Sequence, residues 1–162
     1  MPEPTELDTV VSDIEALADA LASLPSSSRL AHADADKVYS LAYHFLEQGH
    51  FQTALQYFSL LCYYQPTHTD YLTGAAICNR MLENYSEALK IYSFLAVVYP
   101  DNAQHTLAIA ECLMLQRDVQ EARETVDRVL RYCRENPTPS QTKLNEKAQA
   151  LSEMLVLAEA NA

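Results

Sequence analysis

The side chains best suited to hold a metal ion or to attack a substrate are four cysteines, spaced 16, 34 and 21 positions apart: Cys62, Cys78, Cys112 and Cys133. Zinc sites and thiol-disulfide exchange sites commonly use closely spaced cysteine pairs such as C-x-x-C, and this chain has no such pair. An isolated cysteine behaves as a small apolar residue and is commonly buried. We therefore expect four reduced, buried thiols, as is typical of a reducing compartment.

Histidines and carboxylates, the usual general acids and bases, are present without a recognisable catalytic arrangement. Four of the histidines are scattered over separate segments: His44, His50, His68 and His105. The acidic pairs Asp34 with Asp36 and Glu121 with Glu124 are better interpreted as solvated or helix-capping charges. The chain has no H-E-x-x-H sequence, glycine-rich phosphate loop or nucleophile motif. We expect a protein that is not an enzyme and that needs no metal or cofactor.

The net charge of the chain argues against two classes of binding partner. Twenty-two Asp and Glu against 11 Lys and Arg leave a net charge of −11. Such a chain repels phosphate backbones and anionic lipid head groups, so neither nucleic acid nor a membrane is an expected partner. The N-terminus has no basic region before an apolar run, and no stretch has the roughly 18 uninterrupted apolar residues of a membrane-spanning helix. We expect a cytoplasmic protein.

A repeat of 34 residues organises the chain. Segment 36–66 aligns with segment 70–100, and both end in proline. The matched positions are Leu41-Ala42 with Ala75-Ala76, Phe51 with Tyr85, Ala54-Leu55 with Ala88-Leu89, Phe58 with Tyr92, and Leu61 with Leu95. A third, more divergent copy follows at Ile109-Ala110, Val119, Ala122, Val126 and Val129. A period of this length predicts stacked pairs of helices.

This pattern resembles the tetratricopeptide repeat, in which two antiparallel helices cross closely at small residues in the eighth and twentieth positions. Alanines fill both positions in all three copies: Ala42, Ala76 and Ala110, then Ala54, Ala88 and Ala122. The resemblance implies an all-α fold with three helical hairpins in a right-handed superhelix. We place the repeats at 36–69, 70–103 and 104–137, with helices near 36–48, 51–64, 70–82, 85–98, 104–116 and 119–134.

A further helix is expected on either side of the repeats. Residues 1–35 contain an amphipathic segment and a Ser/Pro linker, and the apolar residues of the segment recur at helical spacing: Leu7, Val10, Val11, Ile14, Leu17 and Leu21. This apolar stripe could cap the first repeat or pair with a second copy to form a homodimer. Residues 138–162 are expected to form a capping helix that covers the apolar end of the last repeat.

In a tetratricopeptide stack, the first helix of each repeat lines a concave groove. The residues expected there are Asp36, Tyr39, Tyr43 and Leu46, then Asp70, Thr73, Ile77 and Arg80, then Gln104, Leu107, Glu111 and Met114. Some repeat proteins grip an acidic peptide terminus with Lys and Asn, but Tyr39 and Tyr43 occupy the first of those sites here. The groove instead offers aromatic and aliphatic surface, which favours an extended polypeptide with spaced apolar side chains.

Five segments resemble the class II chaperones of bacterial type III secretion systems, which guard translocator proteins: Tyr39-Ser40-Leu41-Ala42-Tyr43, Gly49-His50-Phe51, Phe58-Ser59-Leu60-Leu61-Cys62, Gly74-Ala75-Ala76-Ile77-Cys78 and Ala110-Glu111-Cys112-Leu113. The resemblance implies a cytoplasmic, ATP-independent chaperone that binds an extended translocator segment with spaced Pro and Leu anchors. It implies groove or pocket roles for Tyr39, Tyr43, Phe51 and Tyr64. It also implies dimerisation through the N-terminal region and, for some members, action with a transcriptional regulator.

The main alternative is a generic tetratricopeptide scaffold or adaptor of a secretion or pilus-assembly apparatus. Such a protein would have the same fold. It would form a lasting complex, whereas a chaperone releases its client for export.

Overall fold

A computed structural model describes residues 32–160, and its only regular secondary structure in this range is α-helix. The described helices are α1 (His32–Glu47), α2 (Phe51–Tyr64), α3 (Thr69–Met81), α4 (Tyr85–Val98), α5 (Ala103–Leu115), α6 (Val119–Glu135) and α7 (Pro139–Ala160). They confirm the predicted all-α tetratricopeptide fold. The predicted repeat helices correspond to α1–α6, although α1 begins four residues before its predicted start. The predicted N-terminal amphipathic helix lies outside the described residues.

The described helices form two compact units, α1–α3 and α4–α7, which divide between Glu83 and Asn84. In the first unit, α2 packs against both α1 and α3. The core of this unit combines small residues with a few large side chains: Ala35, Ala42, Ala54, Phe58, Leu61, Tyr71, Ala75, Ala76 and Cys78. Ala42 of α1 and Ala54 of α2, the predicted crossing residues of the first hairpin, are completely buried. Small side chains at such positions let two helix backbones approach closely.

In the second unit, α5 packs against α4 and α6, and α7 packs chiefly against α6. The core cluster joins α5, α6 and α7 and contains Ala103, Leu107, Ala110, Leu113, Ala122, Val126, Val129, Cys133, Leu144, Ala148, Leu151 and Leu155. The last helix begins at Pro139, whose fixed φ suits the first turn of a helix. Because its buried residues Leu144, Ala148, Leu151 and Leu155 complete this core, α7 covers the last hairpin as predicted for a capping helix.

The first helix of each predicted repeat is followed by a residue in the left-handed conformation: Gly49 at φ 78°, Glu83 at φ 64° and Arg117 at φ 65°. These positions are 34 residues apart. Two of these turns share a hydrogen bond typical of helix C-termini, since the His50 N–H donates to the Phe45 carbonyl and the Asp118 N–H to the Leu113 carbonyl, each at 2.9 Å. The repeat thus recurs in backbone geometry even where glycine is absent.

Candidate functional site: a tyrosine face on the first unit

Tyr39 is the centre of an aromatic cluster that ties α1 to α2 and α3. The centroid of its ring lies 6.2 Å from that of Tyr43, 6.0 Å from that of Phe58 and 5.6 Å from that of Tyr71. Phe58 meets the ring edge-on, an arrangement that the aromatic quadrupole favours. These contacts leave Tyr39 half-buried, whereas Tyr43 is 47% exposed. Of the two predicted groove tyrosines, Tyr39 packs against the neighbouring rings, and Tyr43 is the one more exposed to solvent.

Tyr71 of α3 is a member of the cluster that was not predicted from the sequence. Its ring stacks on the imidazole of His68, with the centroids 3.9 Å apart and the planes inclined by 16°. Tyr71 is buried, and so are Ala75 and Cys78, which follow it by four and seven residues on α3. That helical spacing of apolar residues is the signal that could have identified Tyr71 as the contact between α1 and α3.

Burial and two nearby carboxylates determine the protonation of the central tyrosines. Burial raises the pKa of Tyr39, and the negative charge of Asp70 raises it further. Burial likewise raises the pKa of Tyr71, with further contributions from Asp36 and Asp70. Both effects favour the neutral phenol, and Asp70 lies close enough to act on both tyrosines.

We use the name tyrosine face for one set of residues on the first unit: Asp36, Tyr39, Tyr43 and Leu46 of α1, and Asp70, Thr73, Ile77 and Arg80 of α3. On each helix these residues recur every three or four positions, so they lie along one side of it. All are exposed or partly exposed. Because Tyr39 contacts Tyr71, the two helices lie next to each other, with Asp36 three residues before Tyr39 on α1 and Asp70 in the first turn of α3. The structure thus places the groove residues predicted on α1 and α3 along two adjacent helices.

Phe51 and Tyr64 lie at the two ends of α2. Thirteen residues separate them, which corresponds to about 20 Å along a helix. Both are half-buried, and Tyr64 meets the ring of Tyr63 edge-on at 5.6 Å. One apolar anchor of a bound segment could not contact both residues, so their groove or pocket roles remain separate predictions.

The residues predicted to line the groove in the third repeat lie in the second unit, and one of them requires a correction. Leu107 is only 4% exposed and belongs to the core cluster in which α5, α6 and α7 meet. It is therefore a core residue, because its side chain is enclosed by the protein itself. Met114 is partly buried against the same cluster, and Glu111 is half-buried.

All four cysteines are free thiols that lie wholly or partly inside the protein. Cys78, Cys112 and Cys133 are buried, and Cys62 is half-buried. Burial raises the pKa of Cys62 and of Cys78 to about 11, which makes both weak nucleophiles at neutral pH. Within residues 32–160, His, Cys, Asp and Glu form no group of three that could hold a metal ion. Among the helices described there, none combines the length and the apolar character needed to cross a bilayer.

Comparison with known proteins agrees with this fold. Sequence profiles of the tetratricopeptide repeat match residues 35–67 and residues 80–138. The chain is 26% identical over 124 residues to the chaperone protein SicA of Salmonella typhimurium, and this match covers 76% of the chain and 72% of SicA.

Two solved structures illustrate the structural likeness. The type III secretion translocator chaperone SycD of Yersinia enterocolitica has a TM-score of 0.72 at 20% identity, covering 81% of this chain and 98% of SycD. PcrH in complex with the chaperone binding region of PopD has a TM-score of 0.71 at 21% identity, covering 81% of this chain and 97% of PcrH. These structural matches establish the shared fold. Taken with the repeat profiles, they show that the chain is a tetratricopeptide-repeat protein, similar in sequence to SicA and in fold to the translocator chaperones of type III secretion systems.

Proposed function

We propose that this chain is a cytoplasmic chaperone that binds an extended, apolar-anchored segment of a type III secretion translocator on its tyrosine face. Binding keeps the translocator soluble and competent for export. The observation that carries the proposal is the exposure of Tyr43 beside the supported ring of Tyr39, on a face that also includes the apolar residues Leu46 and Ile77. Structures of relatives support it, since SycD was solved with a peptide of the translocator YopD, and PcrH with the chaperone binding regions of PopD and PopB.

The energetics suit a reversible holding role. One apolar anchor that becomes fully buried contributes about 1.5–3 kcal/mol. Ordering an extended segment opposes binding, so several anchors are needed to reach a micromolar Kd, which corresponds to about −8 kcal/mol. A complex of that strength protects the client in the cell and still dissociates without ATP.

The proposed role is binding and involves no catalysis. SicA and SycD are both named as chaperones. A protein that must enter a bilayer exposes apolar segments, which aggregate in water unless another surface covers them. Tyrosine suits such a surface because its rigid ring supplies a large contact area at low conformational cost.

Two further partners belong to this proposal. A second copy of the chain would pair through the N-terminal apolar residues Leu7, Val10, Val11, Ile14, Leu17 and Leu21. One SycD structure is described as an alternative dimer, which supports self-association in a relative. A transcriptional regulator is the other proposed partner, on the family resemblance alone.

Co-expression tests the proposed function. The chain is produced together with each hydrophobic protein encoded beside it, and the soluble fraction is tested for a co-purifying client. Tyr43→Glu is expected to abolish recovery, because it places a charge where an apolar anchor packs. Tyr63→Glu is the matched control, since Tyr63 is 61% exposed on α2 and lies outside the tyrosine face. Equal recovery with both variants would contradict the proposal.

A secretion assay distinguishes the chaperone from the scaffold alternative. A chaperone stays in the cell while its labelled client appears in the medium. A scaffold keeps its client in a lasting complex, so the two proteins would remain together in the cell after secretion is induced.

A further inference from the structure

Two carboxylates flank the aromatic part of the tyrosine face. Asp36 precedes Tyr39 and Tyr43 by three and seven residues on α1, so the three side chains lie on one side of that helix. Asp70 lies in the first turn of α3, directly before Tyr71, whose ring contacts Tyr39. Acidic groups from two different helices therefore border one pair of contacting rings.

Both residues are exposed, and neither carboxylate is part of the ion pairs described within residues 32–160, which are Lys37–Asp34, Lys90–Glu87 and Arg123–Glu159. Other acids of the described range differ in this respect. Asp34 pairs with Lys37 at 3.3 Å, and in the second unit Glu87 pairs with Lys90 at 2.6 Å. Both Asp36 and Asp70 raise the pKa of Tyr71, after the larger effect of burial, which places their negative charge near the same phenol. The two negative charges lie beside the tyrosine rings. No counterion for them is described within residues 32–160.

A cationic side chain fits this combination better than a metal ion does. No third His, Cys, Asp or Glu in the described range joins the two carboxylates to complete a metal site. Lys and Arg place an apolar stem along aromatic surface and keep the charged group at its edge. A cation near a tyrosine ring also gains from the ring quadrupole, and an ionised carboxylate beside the ring adds to that attraction.

We propose that the tyrosine face contains a subsite for one Lys or Arg side chain of the bound segment, formed by Asp36, Asp70 and the rings of Tyr39 and Tyr43. The client segment thus carries a positive charge next to an apolar anchor. This inference rests on the proposed function and adds a requirement on client sequence. Part of the negative charge of the chain would then serve to recognise a cationic side chain of the client.

Fluorescence anisotropy with synthetic peptides tests the subsite. The probes are fluorescein-labelled 12-residue peptides with Pro and Leu two positions apart, because alternate residues of an extended chain point to the same side. The residue after the anchor pair is Lys, its uncharged isostere norleucine, or Glu. The full-length protein is expected to bind the Lys peptide about five- to tenfold more tightly than the norleucine peptide, with the Glu peptide weakest.

Substitution of the acids identifies the source of that preference. In the Asp36→Asn, Asp70→Asn double variant, the ratio of the two Kd values is expected to fall below about twofold. The control variant Asp127→Asn, Glu146→Gln has the same net charge, and its exposed substitutions lie in the second unit, on α6 and α7. It should keep the preference. Circular dichroism melting curves establish that each variant is folded.

The outcomes separate this inference from the proposed function. Equal Kd values for the Lys and norleucine peptides would overturn the subsite while leaving peptide binding in place. A preference lost equally in both double variants would show general charge attraction and would also overturn it. Failure of every peptide to bind would overturn both the subsite and the binding mode on which it rests.

Discussion

The ring of Phe58 lies directly against Gly74, so that a Cβ atom placed on Gly74 would be only 2.3 Å from Cε1 of that ring. Phe58 is completely buried on α2, and Gly74 is buried on α3. The same phenyl ring meets Tyr39 edge-on from below the tyrosine face. The absence of a side chain at position 74 therefore lets α3 approach α2 closely enough for Tyr71 and Tyr39 to touch.

We predict that Gly74→Ala destabilises the protein by up to about 2 kcal/mol, because overpacking at Phe58 costs about 1–3 kcal/mol and alanine regains roughly 1 kcal/mol over glycine within a helix. Urea unfolding followed by circular dichroism gives the free energy of unfolding. Phe58→Leu in the Gly74→Ala background removes the clashing ring edge and should recover part of the loss. A Gly74→Ala protein as stable as the wild type would show that the ring moves aside freely.

Arg117 offers a stabilising substitution. It adopts φ 65°, a conformation that costs a non-glycine residue about 1 kcal/mol, and the equivalent position in the first repeat is Gly49. Arg117→Gly is expected to raise the free energy of unfolding by about 0.5–1 kcal/mol, and Gly49→Ala to lower it by a similar amount. Arg131→Gly, an exposed position inside α6, is the control and should be destabilising. A loss of stability in Arg117→Gly would contradict the prediction.

The buried histidine His105 makes stability depend on pH. Burial lowers its pKa, so the folded protein binds a proton less readily than the unfolded chain does. The stability linked to this group is complete above the unfolded pKa of about 6.5 and is lost as the pH falls towards the lower folded pKa. Unfolding free energies at pH 7.5 and pH 5.5 are expected to differ less in His105→Gln than in the wild type. An identical pH dependence in both proteins would contradict this role for His105.

Cys62 is expected to react slowly despite its partial exposure. Because its pKa is raised to about 11, very little thiolate exists at pH 8. Alkylation by iodoacetamide should be about 100-fold slower in the native protein than in the chain unfolded in urea, as followed by mass spectrometry of the peptide that contains Cys62. Native and unfolded rates within a few-fold of each other would show that the thiol ionises normally.

The repeat pattern was sufficient to predict much of the fold. The alanines chosen as crossing residues, including Ala42, Ala54 and Ala122, are all completely buried. Their spacing carries that information because only small residues allow two helices to cross closely. The left-handed turn at Arg117 could not be predicted from residue type, since arginine does not favour that conformation and only the equivalence with Gly49 points to it.

The sequence predicted the candidate site less completely than it predicted the fold. A repeat consensus states which side of a helix faces a groove, but it does not state which neighbouring side chains cover that position. Leu107 was assigned to the groove and lies in the core. Tyr71 was not assigned and contacts Tyr39. Both differences arise from tertiary packing between helices, which a periodic pattern along one helix does not contain.

Site-specific photocrosslinking tests the central claim most directly. The photoreactive residue p-benzoylphenylalanine replaces Tyr43 on the tyrosine face or the control Tyr63 on α2, and each variant is co-expressed with the client that co-purifies with the wild type. Irradiation is expected to join the client to the protein labelled at position 43, with little or no product at position 63. Crosslinking to the client from position 63 and none from position 43 would contradict binding on the tyrosine face.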